Sequence, residues 1–285
     1  MVPACLELVL FTFFQKKYVA TFSDTMRLNS LHDLFKILAE VDQSLLDNPP
    51  VNVLWWRGEV DSEWHLSPAA ERHYKNLIEE RGATYRFMQK AGSRHNNVPK
   101  SVGPYCDQSY VEWLFLMQHY GLPTRLLDWT ESLFVALFFA VYYENKYWEK
   151  DGVLWALNPC RLNQDNIDTD GCCTPTSPKI DDICKIPFGN EDPANIPDQK
   201  IVALIPDQKD IRMLMQHSTF TLHSGWPIQK FNNDPKDQRY LKKIIISSSK
   251  KKEIYQFLIR CGLNISNIFP DLENLSKEIK NMYFI

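Results

Sequence analysis

Glycine is scarce in this chain, with only 10 among 285 residues. That tells against folds that lean on glycine for phosphate loops or tight-turned barrels. The local signatures that such folds carry are missing as well. There is no GxGxxG, no GxxxxGK followed by Ser or Thr, no HExxH, no GxSxG and no CxxC, so the dinucleotide, P-loop, zincin and hydrolase-elbow readings lose their support. Charge of one sign is also missing: 32 Lys+Arg against 35 Asp+Glu leaves a net charge of -3, so no global attraction draws the chain to nucleic acid or to an anionic membrane, although a local basic patch remains open. The seven cysteines are odd in number and form no metal-binding pair; they read as reduced thiols of a cytosolic protein. The seven histidines are scattered, and only His217 and His223 lie close, at a spacing that is a weak metal signal. No period of 20 to 50 residues and no low-complexity tract is present.

What is there fits a globular protein of one large domain, or a domain with an extension. Hydrophobic residues make up 44%, aromatic residues 13% and charged residues 24%, a balance that supports a packed core. The start, residues 1–14, is apolar but interrupted by Glu7 and preceded by no basic residue, and reads as a buried strand or helix. From Ser30 as N-cap, Leu31, Leu34, Phe35, Leu38 and Val41 recur at helical spacing until Pro49-Pro50. Residues 51–56 read as a strand ending in Arg57-Gly58, and 68–98 as helical. A helix from Asp107 ends at Gly121 and Pro123. Residues 132–148 are apolar nearly all round and predict a helix buried inside the fold. Residues 126–129 are too short to assign. Strands are expected at 152–157, 200–205, 220–223 and 242–247. Helices are expected around 210–217, from Ser249 to Gly262, and over the amphipathic 272–282. Residues 158–200, rich in proline, read as a long surface excursion. Strands and helices mix without strict βαβ alternation, which makes the fold class α+β.

The densest polar stretch is Gln118-His119-Tyr120-Gly121-Leu122-Pro123-Thr124-Arg125-Leu126-Leu127-Asp128-Trp129-Thr130, an irregular loop framed by two apolar helices. Loops held by a rigid scaffold are where function concentrates. Taken singly, Arg125 and Asp128 could form an internal ion pair, and Thr130 could cap the buried helix. Arg57 is the second candidate: a permanently charged fork beside a glycine that lets a ligand or another backbone come close.

Together these residues resemble the FRG domain, named for an aromatic-Arg-Gly motif. Trp56-Arg57-Gly58 stands for that motif, and Trp64-His65-Leu66-Ser67-Pro68 with Arg72 for its continuation. Gln118 through Thr130 with Ala136 and Phe138-Phe139-Ala140 stand for the central signature, Asp151 through Trp155 for the strand that follows, and Gln216, Phe220 and Ile268 through Leu272 for later blocks. The resemblance implies an FRG domain over residues 30–285, with 1–29 an N-terminal extension and 158–200 an insertion. In order along the chain, the motifs are also similar to ADP-ribosyltransferases of the Arg-Ser-Glu type, which implies a split sheet flanked by helices and NAD as substrate, with no further cofactor, no metal and no membrane. On that likeness Arg57, Asp128, Thr130, Glu131 and Gln216 would be catalytic. Arg57, Gly58, Gln118, His119, Tyr120, Arg125, Trp129 and Ser132 would bind NAD. Breaking the nicotinamide–ribose bond builds positive charge on the ribose, so such a site must clamp a diphosphate and stabilise a cation. Gln216 stands where those enzymes have Glu, so Asp128, Glu131 or Glu112 would have to supply the carboxylate. A resemblance to small microbial defence proteins implies a toxin or antiviral effector, with protein or nucleic acid as acceptor. Two other readings compete: a non-catalytic module that binds a nucleotide or protein, and a metal-dependent nuclease using Asp128, Glu131 and Glu112.

Overall fold

In the computed structural model, residues 26–46, 53–95, 98–99, 109–142, 147–189, 200–207, 211–232 and 237–283 are described. The expected N-terminal strand or helix, Cys5, Cys106 and the helix start at Asp107 lie outside them.

Seven strands among the described residues form one mixed sheet in the order β1-β7-β4-β2-β3-β6-β5. They are β1 (Met26–Leu28), β2 (Trp55–Glu59), β3 (Leu126–Thr130), β4 (Gly152–Leu157), β5 (Ile201–Leu204), β6 (Ser218–His223) and β7 (Leu241–Ile246). β1 lies parallel to β7 and every other pairing is antiparallel. The class is α+β, a single sheet flanked by helices.

The sheet is pinched in its middle. β2 pairs with β4 along its whole length, from Trp55↔Leu157 to Glu59↔Val153, and β3 pairs with β6 from Leu126↔Leu222 to Thr130↔Ser218. Between β2 and β3 the register has one pair, Trp56↔Thr130. Beyond that pair no further register pair joins the two strands, and the sheet has a four-stranded side, β1-β7-β4-β2, and a three-stranded side, β3-β6-β5.

Successive side chains along the strands alternate between the two faces of the sheet, and β4, β5 and β6 are buried on both. One face of both parts shares a single core of Trp55, Leu127, Trp129, Trp155, Ala203, Leu241 and Ile245. The other face carries two separate cores. On the four-stranded part, Trp56, Leu154 and Ile244 pack against three helices: α1 (Leu31–Leu45), α5 (Leu133–Val141) and α9 (Ser248–Arg260). On the three-stranded part, Leu126, Phe220, Leu222 and Val202 pack against α3 (Leu77–Ala91), α4 (Ser109–His119) and α7 (Asp181–Lys185). A short helix, α2, spans Ala69–His73.

Most expected elements are present. Ser30 caps α1, its hydroxyl accepting from the Asp33 amide at 3.2 Å, and Leu34, Ile37, Val41 and Leu45 form the buried stripe. α5 is buried nearly all round, as its composition requires, and Ser132 rather than Thr130 is its N-cap. Gly121 ends α4 with φ of 77°, a conformation that glycine adopts freely. Residues 126–129, unassignable alone, form β3, because strand neighbours on one side and two cores supply what a five-residue run cannot.

Residues 158–189, the described part of the expected 158–200 surface excursion, differ from what the prolines suggested. They hold α6 (Pro159–Ile167), capped by Asn158 and opened by Pro159 at its first position, and α7. Leu162, Cys173, Ile180, Ile183, Cys184, Ile186 and Phe188 are buried. The Asn163 side chain accepts from the Ala203 amide at 2.7 Å and donates to its carbonyl at 3.0 Å, so α6 continues the hydrogen bonding of edge strand β5.

Candidate functional site

The pinch between β2 and β3 leaves strand-edge groups that side chains must satisfy. Arg57 supplies one of them: its Nη1 donates to the Asp128 carbonyl at 2.8 Å and lies 3.8 Å from Asp128 Oδ2. Two residues along β2, on the same strand face, Glu59 holds the guanidinium from behind. Its Oε1 accepts from Arg57 Nε at 3.2 Å and sits 3.1 Å from Nη2. Glu59 is only 5% exposed, and its Oε2 is buried with no hydrogen-bond partner among the described residues. Such an atom forgoes the hydrogen bonds it would have in water.

Asp128 occupies the exposed side of the seam, its side chain 57% exposed. It is positioned all the same. Gln118, at the last turn of α4, donates from Nε2 to both carboxylate oxygens at 3.1 and 3.0 Å. The Gln118 amide is oriented in turn by Thr124, whose hydroxyl donates to Gln118 Oε1 at 2.6 Å and accepts from the Leu126 amide at 3.1 Å. Backbone, Thr124, Gln118 and Asp128 form a relay in which each group fixes the next.

Arg72 brings a second guanidinium. α2 is tied down by the Ala70 amide, which donates to the Thr124 carbonyl at 3.0 Å, and by the Tyr74 hydroxyl on the Pro123 carbonyl at 3.1 Å. Arg72 donates to the Ser67 carbonyl. Burial of its guanidinium and then the charge of Arg57 pull its pKa below the ordinary arginine value, while Glu59, Glu71 and Asp128 pull the other way. Arg72 is thus a second guanidinium within electrostatic range of the first, set like it among the carboxylates Glu59, Glu71 and Asp128.

The other expected site residues divide. Thr130 lies two residues from Asp128 on the same face of β3; its hydroxyl donates to the Gln216 carbonyl at 2.6 Å and accepts from the Ser132 amide at 3.0 Å. It therefore braces the turn into α5, and the Ser132 hydroxyl is used as the cap. Gln216 arrives beside Thr130 through its backbone only. Its side chain donates to the Ile268 carbonyl at 3.1 Å, so it is occupied as a structural tie. Glu131 is exposed just past the seam, its amide on the His217 carbonyl. Glu112 lies six residues before Gln118 on α4, off its helical face.

Five expected NAD contacts are used elsewhere. Arg125 is fully buried in a bidentate pair with Glu80 of α3, at 2.7 and 2.6 Å, and also donates to the Gly225 carbonyl at 3.0 Å. It pairs with Glu80 rather than Asp128, and a guanidinium enclosed this way has no face left for a diphosphate. Trp129 is on the opposite face of β3 from Asp128, within the shared core, its indole N–H donating to Thr221 Oγ1 at 3.0 Å. Gly58 admits a backbone and not a ligand: a Cβ built on it would lie 1.8 Å from the Ala136 carbonyl oxygen of α5. His119 and Tyr120 stack edge to face at 4.9 Å at the end of α4, with Tyr120 also against His95, beside a groove separate from these polar groups.

Sequence reasoning missed Glu59 and gave neither Thr124 nor Arg72 an individual role in the site. The signal for Glu59 was available: in a strand, a residue two places from Arg57 shares its face. Among the described residues no three His, Cys, Asp or Glu side chains gather to hold a metal ion, so Asp128, Glu131 and Glu112 form no such set. None of the described helices is long and apolar enough to cross a membrane.

Residues 52–149 match the family model of the FRG domain. This stretch carries Arg57, Glu59, Arg72, Gln118, Thr124 and Asp128, all the groups that meet at the seam. The match is narrower than the span of 30–285 that the motifs implied, and Gln216 falls outside it. No curated protein and no solved structure matches the chain.

Proposed function

We propose that the protein is an NAD-consuming enzyme of the ADP-ribosyltransferase type, a transferase or glycohydrolase, with its site at the β2–β3 seam. The observation that carries this reading is Arg57 reaching an accessible, relay-held Asp128 across the β2–β3 seam, with Arg72 in electrostatic range. Arg57, whose guanidinium is partly exposed where that of Arg125 is enclosed, and Arg72 supply the positive charge for a diphosphate, and Glu59 fixes the direction of the Arg57 fork. Asp128 is the carboxylate that the side chain of Gln216 cannot replace. When the ribose C1′–N bond breaks, its electron pair leaves with nicotinamide, and the Asp128 carboxylate stabilises the charge left on the ribose. Water or an acceptor group then attacks C1′ and gives up its proton, which Asp128 is placed to receive. Gln118 keeps the carboxylate aimed throughout, so no reorganisation is needed as charge develops.

The test is release of nicotinamide from NAD by the purified protein. Turnover is expected, with a loss of about a hundredfold or more in Arg57→Ala, the scale of one removed electrostatic contact to a transition state. Absence of both NAD binding and turnover at high protein concentration would end the transferase reading and favour a binding module for another ligand.

A further inference from the structure

A second groove, of about 590 Å³, lies between α3 and the end of α4, separate from the Arg57–Asp128 seam. Its floor is apolar: Ala83, Phe87 and Ala91 at every fourth position of α3, facing Leu116 and Leu122. Its rim is cationic. Arg86, Lys90 and Arg94 follow one another at four-residue steps along the same helix and its C-terminal turn, with His95 beside them. Among the described residues no carboxylate lines it, and the sequence from Arg81 to His95 contains no acidic residue, against a chain whose net charge is -3. Tyr120 stands at the edge with its ring 55% exposed, held by edge-to-face contacts with His119 and His95.

We propose that this groove binds a single-stranded nucleic acid. Three basic side chains in a row, spaced by roughly 6 Å along the helix axis and roughly 12 Å end to end, suit a chain of successive phosphates better than a single phosphate. A flat, exposed ring beside an apolar floor suits an unpaired base, whose π-face stacks without regard to sequence. A duplex hides its bases and offers nothing to Tyr120. An acidic peptide would satisfy the cations but leave the ring and the floor unused. The chain's overall acidity is no obstacle, because at physiological salt a local patch is felt within about 8 Å, independently of distant charge. The inference does not depend on NAD chemistry at the seam.

The test is fluorescence anisotropy of a labelled ten-nucleotide single strand titrated with the full chain, without NAD, over a series of salt concentrations. Saturable binding is expected, with a log–log salt slope of about -2 for three phosphate contacts. Arg86→Glu with Lys90→Glu is expected to weaken binding at least about tenfold and to flatten the slope. Tyr120→Ala is expected to weaken it by about tenfold, the loss of one base stack, with the slope unchanged, and Tyr120→Phe to restore it. The altered side chains are exposed, so melting temperatures should match the parent protein. Arg57→Ala is expected to bind the strand as the parent does, which separates this groove from the seam. Four results would overturn the proposal: no saturable binding, affinity indifferent to the double charge reversal, a duplex of equal length bound as tightly, or poly-glutamate bound as tightly with Tyr120→Ala neutral.

Discussion

Arg57 and Asp128 are set by neighbours that the linear motifs do not display. Glu59 restrains one and Gln118 the other, and only the folded strands bring the two together. The sequence made Arg57, Gln118 and Asp128 legible as chemistry, because a charged fork, an amide and a carboxylate beside apolar helices need partners. It could not tell Arg125 from Arg57, since burial against Glu80, 45 positions away, is a tertiary fact. Trp129 was misread for a related reason. Its indole begins a chain in which Trp129 donates to Thr221, Thr221 to His223 Nε2, and His223 Nδ1 to the Gln229 carbonyl at 2.7 Å. That chain needs a neutral imidazole, and burial, with the charges of Arg125 and Arg57 adding to it, presses the His223 pKa from 6.5 down to about 3 although the Gln229 bond opposes this. The unfolded chain takes up a proton below pH 6.5 and the folded one does not, so this group makes stability rise with pH between about 3 and 6.5 and fall on acidification. Urea unfolding at pH 7 and 4.5 should show a loss of about 3 kcal/mol from this source. His223→Gln should remove that pH dependence while lowering stability at pH 7; an unchanged pH slope in the variant would contradict the assignment.

At the scale of elements, β2 is the strand on which the architecture turns. Its alternate residues serve opposite masters: Trp55, Arg57 and Glu59 face the shared core and the seam, while Trp56 and Gly58 face α5. The close approach of α5 needs Gly58, because any side chain there meets the backbone of Ala136 and Ala140 rather than a movable group. Gly58→Ala is therefore expected to destabilise by about 3 kcal/mol or more, as overpacking against rigid neighbours does. The readout is a fall in melting temperature, with activity lost only in proportion to the unfolded fraction; an unchanged melting temperature would show that α5 can retreat. Helices α1, α4, α5, α9 and the amphipathic α11 (Leu272–Tyr283) were legible because period and caps are local. β3 was not, since a five-residue strand is defined by its partners. Nor were α6 and α7, where prolines suggested loop. Pro159 in fact occupies the first turn of a helix, a position where a missing N–H costs nothing.

For the whole molecule, one core joins both parts of the sheet on one face while two separate cores build up the other, and the seam between them is where Asp128 is left accessible. The single register pair Trp56↔Thr130 explains both the opening and the use of Arg57 as a side-chain replacement for missing ladder bonds. The composition is consistent with this plan: with so few glycines, the proposed anion site relies on arginine side chains rather than a backbone cradle. The most direct measurement of the central claim is a kinetic comparison of the parent protein with Asp128→Asn, monitoring nicotinamide release together with the NAD dissociation constant. The account predicts that kcat falls by about two orders of magnitude or more, while NAD affinity, held by Arg57 and Arg72, changes by less than about threefold. An unchanged kcat in Asp128→Asn, or no nicotinamide release by the parent protein, would contradict it.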